Sequence, residues 1–200
     1  MCRRAPPVAL TCGTAEARRA RTVPYTRTMI PTRIPVRVEP TVTLKAHQRE
    51  AVAFVHRALR QPDGFVILAD DMGMGKTLVA LQVMVDALAD PARRGAVLVL
   101  TTRVIVEEVW RPHLRRYAPA ARVHVVGGDP SERALELGEA VAARHVVLCT
   151  TNMAGALHAR DGAWAEATAG ARLVVVDECQ YMTNTDSHLW QAVRARNDTP

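Results

Sequence analysis

The sequence lacks the features that would place the chain in a membrane or among disulfide-rich secreted proteins. No stretch approaches the roughly 18 uninterrupted apolar residues of a membrane-spanning helix. The amino terminus carries prolines and arginines where a secretory signal needs an apolar run. The four cysteines form no C-x-x-C pair, and the seven histidines show no H-x-x-x-H spacing. We therefore expect an intracellular protein with no membrane partner, no zinc site and no disulfide framework.

Acidic residues are scarce at the amino terminus, and this uneven charge divides the chain. Residues 1–40 carry eight arginines against two glutamates, which accounts for the whole net charge of +6. The segment is rich in Pro, Thr and Arg without a helical or strand period, so we predict a disordered basic tail there and one globular domain over residues 41–200. The tail suits a non-specific phosphate-binding arm or an organelle transit peptide, and a leader with no role of its own is an equal alternative.

Helical and strand patterns alternate from residue 41 onward. Continuous β-branched runs predict buried strands, and apolar residues at helical spacing predict the helices between them. The predicted strands are 64–70, 96–102, 122–126, 145–151 and 172–178. The predicted helices are 44–60, 76–89, 104–117, 131–143, 153–168 and 187–196. Pro112 predicts a kink or break in the third helix. This order predicts an α/β fold with a doubly wound, mostly parallel sheet, which binds ligands at the carboxyl ends of its strands.

One loop, LADDMGMGKT (68–77), lies between a predicted strand and a predicted helix, as a phosphate-binding loop requires. Lys76 can reach the β- and γ-phosphates of a nucleotide, and Thr77 supplies a hydroxyl for magnesium. The usual pattern, G-x-x-x-x-G-K-[ST], fails only at its first position, where the chain has Asp70. The residues expected to hold the nucleotide in this loop are Met72, Gly73, Met74, Gly75, Lys76 and Thr77.

Two adjacent carboxylates end the last predicted strand, in RLVVVDECQ, about 100 residues after Lys76. Asp177 would hold magnesium through its water shell, and Glu178 would orient and deprotonate the water that attacks the γ-phosphate. An acidic pair that merely solvates a strand end is the alternative for an isolated Asp-Glu. With a phosphate loop upstream, the pair predicts an ATP site in which Lys76 and Glu178 are catalytic, and Thr77 and Asp177 hold the metal.

These motifs resemble the amino-terminal half of the helicase-like motor of the Swi/Snf family of DNA translocases, within helicase superfamily two. LKAHQREAVAFV (44–55) resembles the lead-in of that family, in which the glutamine, here Gln48, reads adenine. LADDMGMGKT resembles the first family motif, L-A-D-[ED]-M-G-L-G-K-T, in which Asp occupies the position of the missing glycine. The resemblance implies a P-loop NTPase fold, specifically a RecA-like helicase ATP-binding lobe, with ATP and Mg²⁺ as cofactors.

Two further segments imply where DNA would bind. VLVLTTRVIVEEVWRPHLRRYAP resembles the next motif, a strand followed by a nucleic-acid-facing turn, and implies contacts from Thr102 and Arg103. HVVLCTTNM resembles a later motif whose threonines, here Thr150 and Thr151, meet the DNA backbone. The chain departs from the family where it has Thr-Thr in place of Cys-Pro and DECQ in place of D-E-A-H. The resemblance implies double-stranded DNA as the partner, and a nuclear location or another site of DNA processing.

The family motor also has a second lobe, and the 200 residues contain neither a T-G-T-P-like motif nor that lobe. The second lobe supplies an arginine that stabilises the transferring phosphate, an effect of roughly 10³ to 10⁵ in rate for such fingers. We therefore expect a lobe that is incomplete at its carboxyl end, binds ATP weakly at best and does not translocate, unless a partner supplies the second lobe in trans. Two alternatives stay open, another superfamily-two DNA or RNA helicase and a non-catalytic ATP- or DNA-binding fragment.

Overall fold

A computed structural model of the chain describes residues 8–9, 43–61, 64–71, 73–90, 95–143, 146–160, 162–182 and 184–195. Apart from Val8–Ala9, the basic tail of residues 1–40 lies outside these ranges, and its disorder stays a prediction. The division into a tail and a domain that starts at residue 41 is likewise an expectation. Across the described ranges, no helix is long and apolar enough to cross a membrane.

Among the residues that the structure describes, five parallel strands form one sheet. The strands are β1 (Val8–Ala9), β2 (Ala96–Thr101), β3 (Val123–Val125), β4 (Val146–Thr150) and β5 (Ala171–Val176). Their order across the sheet is β1-β5-β2-β4-β3, and every described pair is parallel. Parallel neighbours require crossover connections, and helices supply them here. The predicted doubly wound parallel sheet is therefore confirmed.

Eight α-helices, one π-helical turn and one 3₁₀ turn accompany the sheet in the described part of the chain. The helices are α1 (Ala46–Ala58), α2 (Lys76–Ala89), α3 (Arg103–Ile105), α4 (Arg111–Tyr117), α5 (Arg133–Ala142), α6 (Thr151–His158), α7 (Ala163–Thr168) and α8 (His188–Arg194). A π-helical turn (Val106–Trp110) joins α3 to α4, and a 3₁₀ turn (Cys179–Met182) follows β5.

The sheet separates two apolar cores, and β2 contributes to both because successive side chains of a strand point to opposite faces. Leu98 and Leu100 belong to the cluster that includes residues of α5, α6, α7 and α8. Val97 and Val99 belong to the cluster that includes residues of α1, α2, the π-helical turn and α4. All four side chains are fully buried. Central strands of this kind read as continuous apolar runs, which is why the sequence predicted them correctly.

Residues 64–70, predicted as a strand, lie outside the sheet. No backbone hydrogen bond joins residues 65–70 to any described strand. Val66 is buried, whereas Phe65 and Ile67 on the alternate side are 39% and 48% exposed. The strand beside β5 is instead β1. The predicted buried strand over 64–70 is therefore wrong, because apolar content specifies neither which segment pairs with the sheet nor that one side of an extended segment stays exposed.

The helices predicted over 104–117 and 153–168 each change character within their length. The first continues past Pro112, but Arg111 N donates to the carbonyl of Val106, five residues earlier, so a π-helical turn precedes the proline. A proline ring crowds the carbonyl four residues before it, and a wider turn relieves that contact. The second stops at His158 and restarts after Gly162, whose φ of 81° is readily adopted only by glycine.

Candidate nucleotide site and DNA interface

A cavity of about 350 Å³ opens beside the carboxyl end of β5. Its polar and charged lining residues are Lys76, Thr77, Asp177, Glu178 and Gln180. Its other walls come from α1, Val66, Leu68, α2, Trp110, Cys179 and the last two residues of β5. The fold therefore brings the residues predicted for catalysis and for metal binding, which lie 100 positions apart in the sequence, to one cavity.

The phosphate loop ends at the start of α2. Gly75 is the residue before the helix and has φ 81°, so the chain turns sharply into the helix there. Lys76 Nζ donates to the carbonyls of Asp70, at 2.6 Å, and Asp71, at 3.1 Å. These bonds close the loop into a ring. The first backbone N–H groups of a helix have no partner within it, so the start of α2 can accept an anion.

Gln48 lies against this loop and is 5% exposed. Its Nε2 donates to the carbonyl of Met74 at 3.2 Å, and its Oε1 accepts from the backbone N–H of Lys45 at 2.9 Å. A Cβ at Gly75 would displace Nε2 of Gln48, so glycine is favoured there by this contact as well as by its conformation. A glutamine amide has two N–H hydrogens and two lone pairs, so one of each remains for an adenine edge.

The other predicted loop residues are placed less tightly. Gly73 and Met74 are exposed, and a Cβ at Gly73 would meet nothing within 4 Å. Met72 lies outside the described residues, and its contact with the nucleotide stays a prediction. His47, which was not predicted as a site residue, places its Nε2 3.3 Å from the Met74 carbonyl oxygen. The loop carbonyl is therefore approached by two consecutive side chains of α1.

Asp177 directly follows β5 and extends its pairing with β2, since its N–H donates to the carbonyl of Leu100 at 2.9 Å. Burial raises the pKa of Asp177, the hydrogen bond from Trp110 opposes the rise, and the neighbouring Glu178 carboxylate adds to it. The two carboxylate oxygens have separate partners. Oδ2 accepts from Trp110 Nε1 at 2.8 Å, and Oδ1 accepts from the N–H of Glu178 at 3.1 Å.

Glu178 is strained. Its φ of 58° lies in the left-handed region, and among the described residues it is the one non-glycine with a positive φ. Such a conformation costs about 1–3 kcal/mol, and strained residues of this kind cluster at functional sites. Gln180 Nε2 donates to the Glu178 carboxylate. The left-handed turn thus carries the predicted base past the end of β5 and aims it into the cavity that Lys76 also lines.

The donor set suits Mg²⁺. Thr77 and Asp177 offer a hydroxyl and a carboxylate at the same cavity, and Mg²⁺ prefers hard oxygen ligands. No group of three His, Cys, Asp or Glu side chains that could hold a metal occurs in the described ranges. A site with one carboxylate is what Mg²⁺ uses when it binds together with a phosphate substrate, because it keeps several waters.

The four residues predicted to meet DNA lie on neighbouring strand ends. β2 and β4 pair in register, Thr101 opposite Thr150, so the chains leave the sheet side by side. The Thr102 hydroxyl accepts from the backbone N–H three residues later at 3.5 Å and begins α3. The Thr150 hydroxyl does the same at 3.3 Å, and Thr151 opens α6. Arg103 is exposed. The structure thus groups these residues at the carboxyl edge of the sheet.

Sequence reasoning did not find two contacts of the site. The apolar helical pattern around Trp110 predicts core packing, and the ring is buried, but its indole N–H also donates to Asp177. The bond between Gln180 and Glu178 forms beside the left-handed conformation of Glu178, which the residue types in this segment do not predict. A tryptophan in an apolar helical pattern gives no signal of its polar partner, since the partner lies 67 positions away.

Fold and cavity together define a nucleotide-binding α/β domain of the P-loop type. The model of the SNF2-related domain family matches residues 47–199. The chain belongs to this family, which confirms the resemblance seen in the sequence. Family membership implies nucleotide binding.

Individual relatives are much longer than the chain. It is 28% identical over 158 residues to the chromodomain-helicase-DNA-binding protein 1-like of Danio rerio, covering 76% of the chain and 14% of that protein. It is 29% identical over 108 residues to the DNA excision repair protein ERCC-6-like of Mus musculus, covering 54% and 8%. A solved SWI2/SNF2 ATPase core from Sulfolobus solfataricus, in complex with double-stranded DNA, matches with a TM-score of 0.61 and 24% identity over 81% of the chain and 31% of that chain. This last likeness confirms the fold.

Proposed function

We propose that the chain binds ATP with Mg²⁺ in the cavity at the end of β5 and acts as the ATP-binding lobe of a DNA-dependent ATPase that translocates on double-stranded DNA. The observation that carries the proposal is that Lys76 and Thr77 share one cavity with Asp177 and Glu178. Membership of the SNF2-related domain family supports it. The complex of the archaeal SWI2/SNF2 core with double-stranded DNA supports the choice of partner.

In the proposed complex the phosphates lie at the start of α2. Lys76 Nζ exchanges the neutral carbonyls of Asp70 and Asp71 for β- and γ-phosphate oxygens, so that its positive charge meets a negatively charged acceptor. Gln48 uses its remaining N–H and lone pair on adenine. Thr77 and Asp177 would hold Mg²⁺, which when bound neutralises charge that develops on the phosphate oxygens.

Glu178 serves as the base for hydrolysis. Its carboxylate takes a proton from a water molecule while the water oxygen bonds to the γ-phosphorus. The bond from that phosphorus to the oxygen shared with the β-phosphate breaks, and ADP and phosphate are the products. General base catalysis of this kind contributes about 10² to 10⁴ in rate. Gln180, which bonds to the same carboxylate, limits its rotation.

DNA would lie across the ends of β2 and β4. The hydroxyl oxygens of Thr102 and Thr150 accept helix N–H groups, and their hydroxyl hydrogens remain available to phosphate oxygens. The start of α6 adds a backbone N–H at Thr151, and Arg103 adds charge. Contacts of this kind position a duplex without reading its sequence. We therefore expect binding that is insensitive to sequence and sensitive to salt.

The site as described has no arginine that faces the γ-phosphate position, since the polar lining residues of the cavity are those given above. We propose that an arginine from a second lobe, supplied in trans, completes the site for turnover. On this proposal the 200-residue chain binds Mg-ATP but hydrolyses it more slowly than the completed site does. The difference in rate should be roughly 10³- to 10⁵-fold, which is the contribution of such an arginine.

A titration of Mg-ATP into the 200-residue chain tests the nucleotide proposal. Lys76→Ala should abolish binding, whereas Glu178→Gln should bind normally and lose all hydrolysis, with or without duplex DNA. Lys45→Ala is the matched control, because Lys45 is the one other lysine of the chain and should bind as the unaltered protein does. Equal Mg-ATP affinity in the Lys76→Ala and Lys45→Ala proteins would refute the assignment of the loop.

Fluorescence anisotropy with a labelled DNA duplex tests the DNA interface. Arg103→Gln should weaken binding and lower the slope of log affinity against log salt by about 1, the change expected for one lost phosphate contact. Arg57→Gln, an exposed arginine in the last turn of α1, is the control and should leave the slope unchanged. A preference for RNA, or strand displacement in a complete motor, would favour another superfamily-two helicase.

One observation favours a non-catalytic alternative. Gln180 donates to the Glu178 carboxylate, so the proposed base already has a partner in this structure. If the chain is a binding module only, then Glu178→Gln should leave its biological effect intact. A motor predicts that the effect is lost with that substitution.

A further inference from the structure

Trp110 and Asp177 join the helix that follows β2 to the end of β5. Trp110 Nε1 donates to Oδ2 of Asp177 at 2.8 Å, and the tryptophan is 1% exposed. An indole has a single N–H donor, so the whole hydrogen-bonding capacity of Trp110 is directed at this one carboxylate. The ring also lines the cavity that holds Lys76 and Thr77. Trp110 therefore contacts the candidate site in two ways.

The local structure fixes the indole in this direction. The π-helical turn that ends at Trp110 contains one residue more per hydrogen-bonded ring than an α-helix, as the bond from Arg111 N to the Val106 carbonyl shows. Such turns are frequent at functional sites. Trp110 is part of the buried cluster that includes Val106 and Leu114. A large ring packed on several sides loses no further freedom when its N–H donates, so the bond is preorganised.

The carboxylate that receives the bond is held at both oxygens. Oδ1 of Asp177 accepts from the N–H of Glu178 at 3.1 Å, while Oδ2 accepts from Trp110. Each carboxylate oxygen has two acceptor positions, so each keeps one for a further ligand. The backbone donor belongs to the residue next to Asp177, so this bond does not fix the carboxylate relative to the rest of the fold. The bond from Trp110 is therefore the contact that ties the Asp177 side chain to another part of the fold.

We propose that Trp110 is a positioning residue that holds the Asp177 carboxylate in the orientation that Mg²⁺ binding requires. This inference rests on the proposed function, in which Asp177 helps to hold the metal. Groups that hydrogen-bond to a metal-binding side chain set its orientation, and their loss typically costs about 10- to 100-fold in metal affinity. Trp110 should accordingly act on the Mg²⁺ dependence of nucleotide binding, not on the phosphate or adenine contacts.

The substitution that tests this is Trp110→Phe, which keeps an aromatic ring in the core and removes the N–H. Binding of a fluorescent ATP analogue to the full chain is measured at equilibrium while Mg²⁺ is increased, so that no turnover is needed. The Mg²⁺ concentration at the midpoint should rise about tenfold or more. Affinity for the analogue in EDTA should stay within twofold of the unaltered protein.

Trp164→Phe is the matched control. Trp164 is also fully buried, and its Nε1 donates to the carbonyl of Ala192 at 2.6 Å, in the core on the opposite face of the sheet. This substitution removes the same atoms and should destabilise the fold without moving the Mg²⁺ midpoint. An unchanged midpoint in Trp110→Phe, or an equal shift in both variants, overturns the proposal. If the unaltered chain itself shows no Mg²⁺-dependent binding, the proposed function fails first, and the two failures are thereby distinguished.

A second measurement covers the case in which Trp110→Phe does not fold. The chain has three tryptophans, so Trp164→Phe combined with Trp190→Phe leaves Trp110 as the one indole. Its emission should change when Mg²⁺ is added in the presence of ATP, because the carboxylate that accepts its N–H then also holds Mg²⁺ with its water shell. ATP with EDTA should leave the emission unchanged. No Mg²⁺-dependent change in that protein, while Mg-ATP still binds, would contradict the proposal.

Discussion

Gln48 Nε2 donates to the carbonyl of Met74 across 3.2 Å, and this bond ties α1 to the phosphate loop before any nucleotide arrives. A side chain on the next loop residue, Gly75, would have to displace the Gln48 amide. The amide that is expected to recognise adenine therefore also shapes the loop that is expected to hold the phosphates. A change at either residue should affect both parts of the nucleotide.

This relationship predicts different effects for two glycines of identical φ, 81°. Gly73→Ala should lower the free energy of unfolding by about 1 kcal/mol, because alanine is strained in the left-handed region. Gly75→Ala should lower it by about 2 kcal/mol or more and abolish Mg-ATP binding, since its Cβ also displaces Gln48. Urea unfolding and an Mg-ATP titration measure the two effects. Equal losses of stability in both variants would show that the contact with Gln48 is unimportant, and Gln48→Ala should recover part of the loss in Gly75→Ala.

The strained base predicts a conflict between stability and activity. Glu178→Gly should raise the free energy of unfolding by about 1 kcal/mol, because glycine adopts φ 58° without the cost that a side chain brings. The same protein should lose hydrolysis. Glu178→Gln loses hydrolysis too but keeps the strain, so its stability should match that of the unaltered chain. If both variants have the same midpoint in urea, the left-handed conformation stores no strain.

Two fully buried threonines should respond in opposite directions when the hydroxyl is replaced by a methyl group. Thr101 Oγ1 has no hydrogen-bond partner among the described residues, whereas Thr168 Oγ1 donates to the carbonyl of Trp164 at 2.8 Å. Thr101→Val should raise the free energy of unfolding by about 1 kcal/mol, because it removes a buried polar atom that forms no bond. Thr168→Val should lower it by about 1 kcal/mol. Chemical denaturation of the two variants measures these changes. Destabilisation by Thr101→Val would mean that the Thr101 hydroxyl has a hydrogen-bond partner in solution.

Cys149 predicts a loss of stability at alkaline pH. Burial, with a smaller contribution from the Glu136 carboxylate, raises the pKa of its thiol to about 12, above the ordinary value of 9.0. Between these values the unfolded chain releases the proton and the folded chain keeps it, so rising pH favours unfolding by up to about 1.4 kcal/mol per pH unit. Below pH 9 the thiol has no such effect. Cys149→Ala should flatten the slope of stability against pH from 9 upward, and identical slopes for both proteins would count against a buried neutral thiol.

The sequence predicted the elements whose chemistry is local. β2, β4 and β5 each contain at least four consecutive apolar residues, Lys76 and Thr77 begin a helix, and Asp177 and Glu178 follow a strand end, so both the α/β class and the shared cavity could be expected. The strand that pairs with the outer side of β5 could not be predicted, because any apolar extended segment can occupy a sheet edge. In the structure Val8–Ala9 pair there, and residues 64–70 remain outside the sheet. The donors to Asp177 and Glu178 could not be predicted either, since they depend on a π-helical turn and a left-handed residue.

Because of the π-helical turn, the direction of the Trp110 indole depends on the number of residues between Thr102 and Trp110. In an α-helix each residue advances about 100° around the axis. Loss of one residue from this turn would therefore either rotate the indole about a quarter of a circle away from Asp177 or displace the end of β5. A single-codon deletion here would leave the sheet, the phosphate loop and both acidic residues in the sequence unchanged. An alignment would then show every nucleotide motif intact in a protein whose metal carboxylate had lost its anchor.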